Sequence, residues 1–333
     1  MKDLINLISR FLIKVALHGY FYKIKVVGRE NIPTGKPIIL VSNHQNALLD
    51  PLLIATHIRL NPYFLTRASV FQNTLAAKVL NYIRMLPVYR VRDGYATLQQ
   101  NQNTFDQTYE VLCKNGTVII FAEGSHSKIR NVRPLMKGFS RMAFGLKEKY
   151  PDCEPVILPV GFNYSAHMKS GSRVLISFGK PIPVDMPNSQ SGKLNKLVEK
   201  ALKGLTVDIP DEGYEAALQS ILENKVDITS KQDVDEFLAT GKVSNPLPEI
   251  SSLSNKLMKI FHFPLYWLWL LKKPSVKDPV FSGTWKFLIG LTLTLAWYFI
   301  LLWMAMDTPA GSWGLTFLIL AWITLWNNKN PQE

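Results

Sequence analysis

From Lys23 to about Val184, short apolar runs alternate with segments of helical periodicity, and this alternation constrains the fold more than any other feature of the chain. Strand candidates are residues 23–27, 37–42, 63–66, 87–90, 117–122, 156–161 and 174–178. Between them, residues near 51–59, 71–84, 95–114 and 139–149 repeat apolar side chains at helical spacing. Strands that alternate with helices predict an α/β domain with a largely parallel central sheet flanked by helices. Such a sheet is buried on both faces, which suits runs such as Val118-Ile119-Ile120-Phe121.

The second strand leads into Val41-Ser42-Asn43-His44-Gln45-Asn46-Ala47-Leu48-Leu49-Asp50-Pro51. A histidine at the end of a buried strand sits where α/β proteins keep their chemistry. His44 could take a proton near neutral pH, and Asp50 could hold its ring. The same residues also read as a plain helix start, with Asp50 as N-cap and Pro51 at the first helical position. Residues six apart do not share a helix face, so contact between the two requires a turn over residues 44–49 and a helix that begins at Pro51.

Two further blocks lie at strand ends. Arg90 and Arg92 leave the fourth strand toward Gly94, and an arginine fork suits phosphate. After the fifth strand comes Phe121-Ala122-Glu123-Gly124-Ser125-His126-Ser127. Gly124 would let backbone N–H groups approach an anion closely, and an ionised Glu123 could accept from a hydroxyl or steady a cation. Lys128, Arg130, Arg133 and Lys137 follow; Lys137 is the best additional phosphate contact beside this turn.

The block from His44 to Asp50 resembles the signature of the glycerolipid acyltransferase family, enzymes that acylate glycerol phosphate and lysophosphatidate. The usual spacing leaves four residues between His and Asp; here there are five, which resembles the fungal-type glycerol-3-phosphate and dihydroxyacetone-phosphate acyltransferases. Residues 121–127 resemble the third family motif, with Ala122 in place of Pro and His126 in place of Arg. Residues 156–161 resemble the fourth, read as a buried strand shaping a pocket. The resemblance covers about residues 20–185. It implies transfer of a fatty acyl group from an acyl-CoA or acyl carrier protein thioester to a hydroxyl of glycerol-3-phosphate or 1-acylglycerol-3-phosphate, with no metal or redox cofactor. His44 would be the general base and Asp50 its orienting acid. Arg90, matched to the second motif, would hold the acceptor with Glu123, Gly124, Ser125, His126 and Lys137. Two rival readings stand beside it: an acyltransferase for dihydroxyacetone phosphate or another lipid acceptor, and a non-catalytic membrane protein that binds lipid.

Charge and composition decide the partner. Residues 1–180 hold 24 Lys or Arg against 10 Asp or Glu, a net +14, whereas residues 181–250 carry −5 and the remainder +4. A basic first half could meet nucleic acid, anionic lipid or phosphorylated substrates. No zinc-finger spacing or RNA-binding aromatic signature is present, and the late cluster of eight Trp favours lipid. Cys113 and Cys153 are too few for a disulfide framework and suit a reducing, cytoplasm-facing setting.

Residues 1–20 place Leu4, Leu7, Ile8, Phe11, Leu12 and Val15 opposite Asp3, Asn6, Arg10 and Lys14, the pattern of an interfacial amphipathic helix or of a helix packed on its own domain. Residues 21–185 form the expected α/β domain, 186–250 a helical appendage with a Pro-containing linker, and 251–280 an interfacial segment with Trp267, Trp269, Lys272, Lys273 and Lys277. Residues 281–333 predict a transmembrane hairpin. Its first helix, 285–306, is long enough to span, and its second, 312–326, is short. The flanking lysines put both ends on the cytoplasmic side, with a bacterial inner membrane as the expected place. A re-entrant or monotopic hairpin is the alternative.

Overall fold

The computed structural model describes residues 2–89, 101–249, 251, 253–307 and 311–332. Arg90 and the turn from Arg92 to Gly94 lie outside the described residues.

The strands are β1 (Lys23–Val27), β2 (Ile38–Ser42), β3 (Tyr63–Arg67), β4 (Met85–Val88), β5 (Thr117–Phe121), β6 (Val156–Tyr164), β7 (Arg173–Phe178) and β8 (Ile182–Pro183). They form one sheet in the order β1-β7-β6-β2-β5-β3-β4, with β8 beside β6. β6 pairs antiparallel with β7 and β8; the other pairings are parallel. The antiparallel pairs are the departure from an all-parallel sheet. The connection from β6 to β7 holds no crossover helix, so the chain must return in the opposite direction. β6 also runs three residues beyond its expected end.

Helices cover both faces: α1 (Lys2–Tyr20), α2 (Leu49–His57), α3 (Thr74–Tyr82), α4 (Asn101–Cys113), α5 (Gly138–Lys149) and α6 (Ser191–Leu205). The two-residue period of β2 divides its side chains between two cores. Ile38 and Leu40 join Leu17 of α1, Leu49 and Leu53 of α2, and Leu158 of β6. Ile39 and Val41 join Leu112 of α4, Phe139 and Met142 of α5, and Leu194, Val198 and Leu202 of α6. Thus α6, expected in an appendage, is built into the sheet's second face. A separate small core, with Val207, Ile221, Val234 and Phe237, gathers around α7 (Tyr214–Glu223) and α8 (Lys231–Thr240).

The C-terminal part is helical: α9 (Leu253–Phe261), α10 (Phe263–Lys272), α11 (Phe281–Asp307) and α12 (Gly311–Trp326). Within α11, Phe281–Met306 is one helix long and apolar enough to cross a membrane; α12 is a shorter apolar helix. Both ends of the pair return to the α/β domain. Near the start of α11, Lys286 Nζ donates to Met168 O at 2.7 Å, and beyond α12 the Asn330 N–H donates to Gly171 O at 2.9 Å.

Candidate active site

The site is built at the carboxyl ends of β2, β5 and β6, where Ser42 lies level with Phe121 on one side and Val160 on the other. Past Ser42 the chain leaves the sheet. Asn43 exchanges two bonds with the Phe162 backbone, Nδ2 to O at 3.0 Å and Oδ1 from N at 2.8 Å, which fixes the exit of the strand. A tight turn follows, in which Asn46 O accepts from Leu49 N at 2.7 Å. α2 then begins at Leu49, not at Pro51, with Leu48 as its N-cap. Asp50 is therefore inside the first helical turn. Its carboxylate folds back over the turn instead of capping forward.

That geometry closes the pair. His44 Nδ1 lies 2.8 Å from Asp50 Oδ2. The same oxygen accepts the N–H groups of Gln45 at 2.9 Å and Asn46 at 2.8 Å. The other oxygen accepts from the Tyr164 hydroxyl at the end of β6. Asp50 is fully buried and surrounded by donors, the arrangement that keeps a buried carboxylate tolerable. An ionised carboxylate only accepts, so Nδ1 of His44 carries the hydrogen and Nε2 keeps its lone pair. Burial, first, and the charge of Asp50 push the Tyr164 hydroxyl far above its ordinary value, so it stays a donor. His44 itself is partly open to solvent, with its ring stacked on Phe121 at 4.0 Å between centroids.

Residues 121–127 form the adjoining wall. Gly124 holds a φ of +70°, a conformation that disfavours a side chain, and an added Cβ would lie 3.3 Å from Met136 Cγ. The Ser127 N–H donates to His44 O at 3.0 Å, tying this loop to the first. Glu123 is buried and pairs within the protein. Its Oε2 accepts from Arg133 Nη2 at 2.6 Å and Nε at 3.1 Å, while Arg133 Nη1 donates to Ser125 Oγ at 2.7 Å. Burial raises the Glu123 carboxyl above its ordinary range, against the opposing pull of Arg133. His126 meets the His44 ring edge-on at 5.8 Å and turns its Nε2 to Asp278 Oδ2 at 2.8 Å. Lys137 is exposed at the N-cap of α5, joined to the loop through Met136 N–H and Ala122 O at 2.7 Å.

Of the residues singled out from sequence, His44, Asp50, Glu123, Gly124, Ser125 and His126 come together, Lys137 borders them, and Arg90 lies outside the described residues. Three neighbours were not singled out for the site. Arg133 belonged to a basic run in which Lys137, not Arg133, was preferred as the phosphate contact. Tyr164 lies three residues past the expected end of its strand, so the sequence reading did not place it at the sheet. Asp278 comes from the linker before α11, far away in sequence.

The start of α11 is also part of the wall. Phe281 meets the His126 ring at 4.9 Å, and Phe287 is buried in the first core. Gly283 lets the helix approach closely, for an added Cβ would stand 2.9 Å from Asn46 Oδ1.

Residues 23–163, which hold the site just described up to Asp50, Glu123 and Arg133, match the family model described as Acyltransferase. The matched stretch runs from β1 into β6, so over the α/β domain the chain is similar to that family. Over 178 residues, 51% of the chain, the sequence is 26% identical to glycerol-3-phosphate O-acyltransferase 1 of Saccharomyces cerevisiae, of which that stretch covers 22%. Over 132 residues, 39% of the chain, it is 28% identical to a 1-acyl-sn-glycerol-3-phosphate acyltransferase of Chlamydomonas reinhardtii, of which it covers 36%. The chain thus spans well under half the length of these curated relatives. The crystal structure of the 1-acyl-sn-glycerophosphate acyltransferase PlsC from Thermotoga maritima aligns with 61% of this chain and 88% of its own, at 18% identity and a TM-score of 0.43.

Proposed function

We propose that the chain is a membrane-bound acyltransferase that moves a fatty acyl group from an acyl-CoA or acyl carrier protein thioester to a hydroxyl of glycerol-3-phosphate or 1-acylglycerol-3-phosphate. The observation that carries the reading is the bond of 2.8 Å between His44 Nδ1 and a buried Asp50, which leaves Nε2 as the ring nitrogen the acid does not engage. His44 Nε2 takes the proton of the acceptor hydroxyl as its oxygen attacks the thioester carbonyl. An O–C bond forms, the C–S bond breaks, and the proton passes from His44 to the departing thiolate. Asp50 holds the ring in the required tautomer and stabilises its charged form; such a base contributes on the order of 10²–10⁴ in rate. Arg133, steadied by Glu123 and Ser125, is a fixed cation beside this base and suits the acceptor's phosphate. Lys137, His126 and Arg90 are proposed to complete that cradle.

Three helical surfaces support the membrane reading. α1 turns Leu4, Leu7, Phe11 and Leu12 outward, while Arg10 Nη2 binds Ile58 O and Leu60 O at 3.0 Å and Leu17 packs in the core, so the helix is anchored to the domain with apolar side chains left facing out. α10 exposes Trp267 and Leu271; α11 and α12 expose Phe299, Trp303, Met306 and Trp313. Apolar area on this scale is stable in lipid and a liability in water. Both ends of the α11–α12 pair return to the catalytic domain, so a hairpin inserted from the cytoplasmic face fits.

The test is to incubate membranes carrying the chain with labelled acyl-CoA and a panel of acceptors: glycerol-3-phosphate, 1-acylglycerol-3-phosphate, dihydroxyacetone phosphate and a non-phosphorylated glycerolipid. Transfer to a phosphorylated acceptor, abolished by His44→Ala in a folded protein, is expected. Full activity of His44→Ala would remove the base, and no turnover with any acceptor would favour a lipid-binding role.

A further inference from the structure

Lys286 lies in the second turn of α11, beside the α/β domain. Its Nζ donates to Met168 O at 2.7 Å and stands over the Trp269 ring at 4.9 Å. Three other lysines lie around it: Lys169 directly follows Met168 and donates to Gln332 O at 3.3 Å, Lys273 lies one helical turn beyond Trp269 at the end of α10, and Lys259 of α9 reaches a ring of that same helix. Among the described residues, no carboxylate pairs with any of the four. Asp278, the acid nearest in sequence to Lys273 and Lys286, is held by His126. Four like charges that converge without an anion repel one another, and the repulsion grows as lipid or protein replaces the surrounding water. Two of the four ammonium groups stand over aromatic rings: besides Lys286 on Trp269, Lys259 Nζ stands 5.3 Å from the Tyr266 ring centre. The exposed Trp267 and Leu271 lie on α10 between Lys259 and Lys273 in sequence. Cations flanked by outward aromatic and aliphatic side chains match the layer where lipid phosphates sit.

We infer that Lys169, Lys259, Lys273 and Lys286 form a socket for the phosphate of an anionic phospholipid headgroup, separate from the site of acyl transfer. The inference rests on the reading of α11 as a membrane helix, not on the acceptor's identity. The socket adjoins the catalytic loop: Asn46 Nδ2 donates at 2.8 Å to His167 O, one residue before the carbonyl that holds Lys286.

The test uses the full chain in neutral detergent micelles, titrated with brominated phosphatidylglycerol or with brominated phosphatidylcholine of the same acyl chains, and reads quenching of tryptophan fluorescence. Phosphatidylglycerol is expected to saturate at the lower concentration. The Lys259→Gln/Lys273→Gln pair should weaken that preference by about five-fold per lysine. The Lys277→Gln/Lys329→Gln pair, which removes the same charge from the flanks of α11 and α12, should leave it intact. Equal losses in the two pairs would show diffuse attraction and overturn the socket. Equal quenching by the two lipids would overturn it while leaving the membrane reading. Quenching by neither would remove both. Displacement by inorganic phosphate at the lipid's own concentration would overturn the lipid assignment.

Discussion

Two imidazoles stand 5.8 Å apart in this site, and each gives a hydrogen to an aspartate at 2.8 Å. The likeness ends at the acids. Asp50 is fully buried and accepts from His44, Gln45 N, Asn46 N and the Tyr164 hydroxyl. Asp278 has 48% of its side chain exposed, and the bond from His126, foremost, holds its carboxyl below the ordinary range. The first pair is fixed before any substrate arrives; the second is a clasp between a loop and the helix that follows it. Pair distance alone does not separate the proposed dyad from a surface contact. Burial and the number of donors on the acid do.

The strongest way to break the comparison is Asp50→Asn. Every described partner of Asp50 is a donor, and an amide offers only one accepting atom. Its NH₂ fits only by turning the Tyr164 hydroxyl from donor to acceptor, and in either orientation the negative charge that would stabilise a protonated His44 is gone. Acyl transfer should fall on the order of 10²–10⁴-fold. Steady-state rates with near-native thermal unfolding would check this, and a rate within three-fold of the parent would show that the acid does not act through His44.

Next in size is Tyr164→Phe, which leaves Asp50 Oδ1 without its described partner. A buried acceptor left unmade costs about 1–3 kcal/mol, and the carboxylate, less restrained, should hold the imidazolium more tightly. Activity should drop roughly ten-fold through kcat while KM changes little, with the acidic limb of the kcat profile moving to higher pH. A loss confined to stability, with an unmoved pH profile, would make Tyr164 a packing residue.

These residues also mark the reach of sequence. Strand and helix positions were legible because apolar periodicity is a local signal, and β2 and β5 lie within one residue of their expected bounds. The His44–Asp50 contact was legible as a requirement, a turn across residues 44–49, but the helix start was misplaced by two residues. Pro51 tolerates any position in a first turn, so it could not mark the boundary. Glu123 was legible as a polar group at a strand end; its pairing with Arg133 was not, since four basic residues compete in that run. The Asp278 clasp and the seat of Gly283 against Asn46 depend on chain segments more than 150 residues apart, for which a single sequence carries no contact signal.

A third histidine sharpens the role of the acid, because it has none. His57 ends α2, buried, with Nδ1 bonded to Leu53 O at 3.1 Å and Nε2 3.4 Å from that of His18. Burial, then the charge of His18, lowers it to about 4. Its folded value lies below the unfolded one near 6.5, so the folded chain binds fewer protons between the two, and the stability it contributes is complete above 6.5 and lost as pH falls toward 4. Between pH 6.5 and 5 the loss should be about 2 kcal/mol. His57→Gln should flatten that part of the curve in urea titrations run across the range; an unchanged slope would assign the pH dependence to other groups.

The smallest effect belongs to the clasp. Asp278→Asn keeps the shape and removes the charge from a half-exposed pair, a class worth about 0.2–1 kcal/mol and screened by salt. Because His126 also rests edge-on against Phe281, the loop should stay in place and acyl transfer should fall by less than about three-fold. The deficit should close as ionic strength rises, since the parent's own pair is weakened there while Asp50, away from solvent, is not. A salt series of the two proteins reads this directly. A loss as deep as that of Asp50→Asn, unchanged by salt, would erase the distinction between the two pairs and give His126 a direct part in the chemistry.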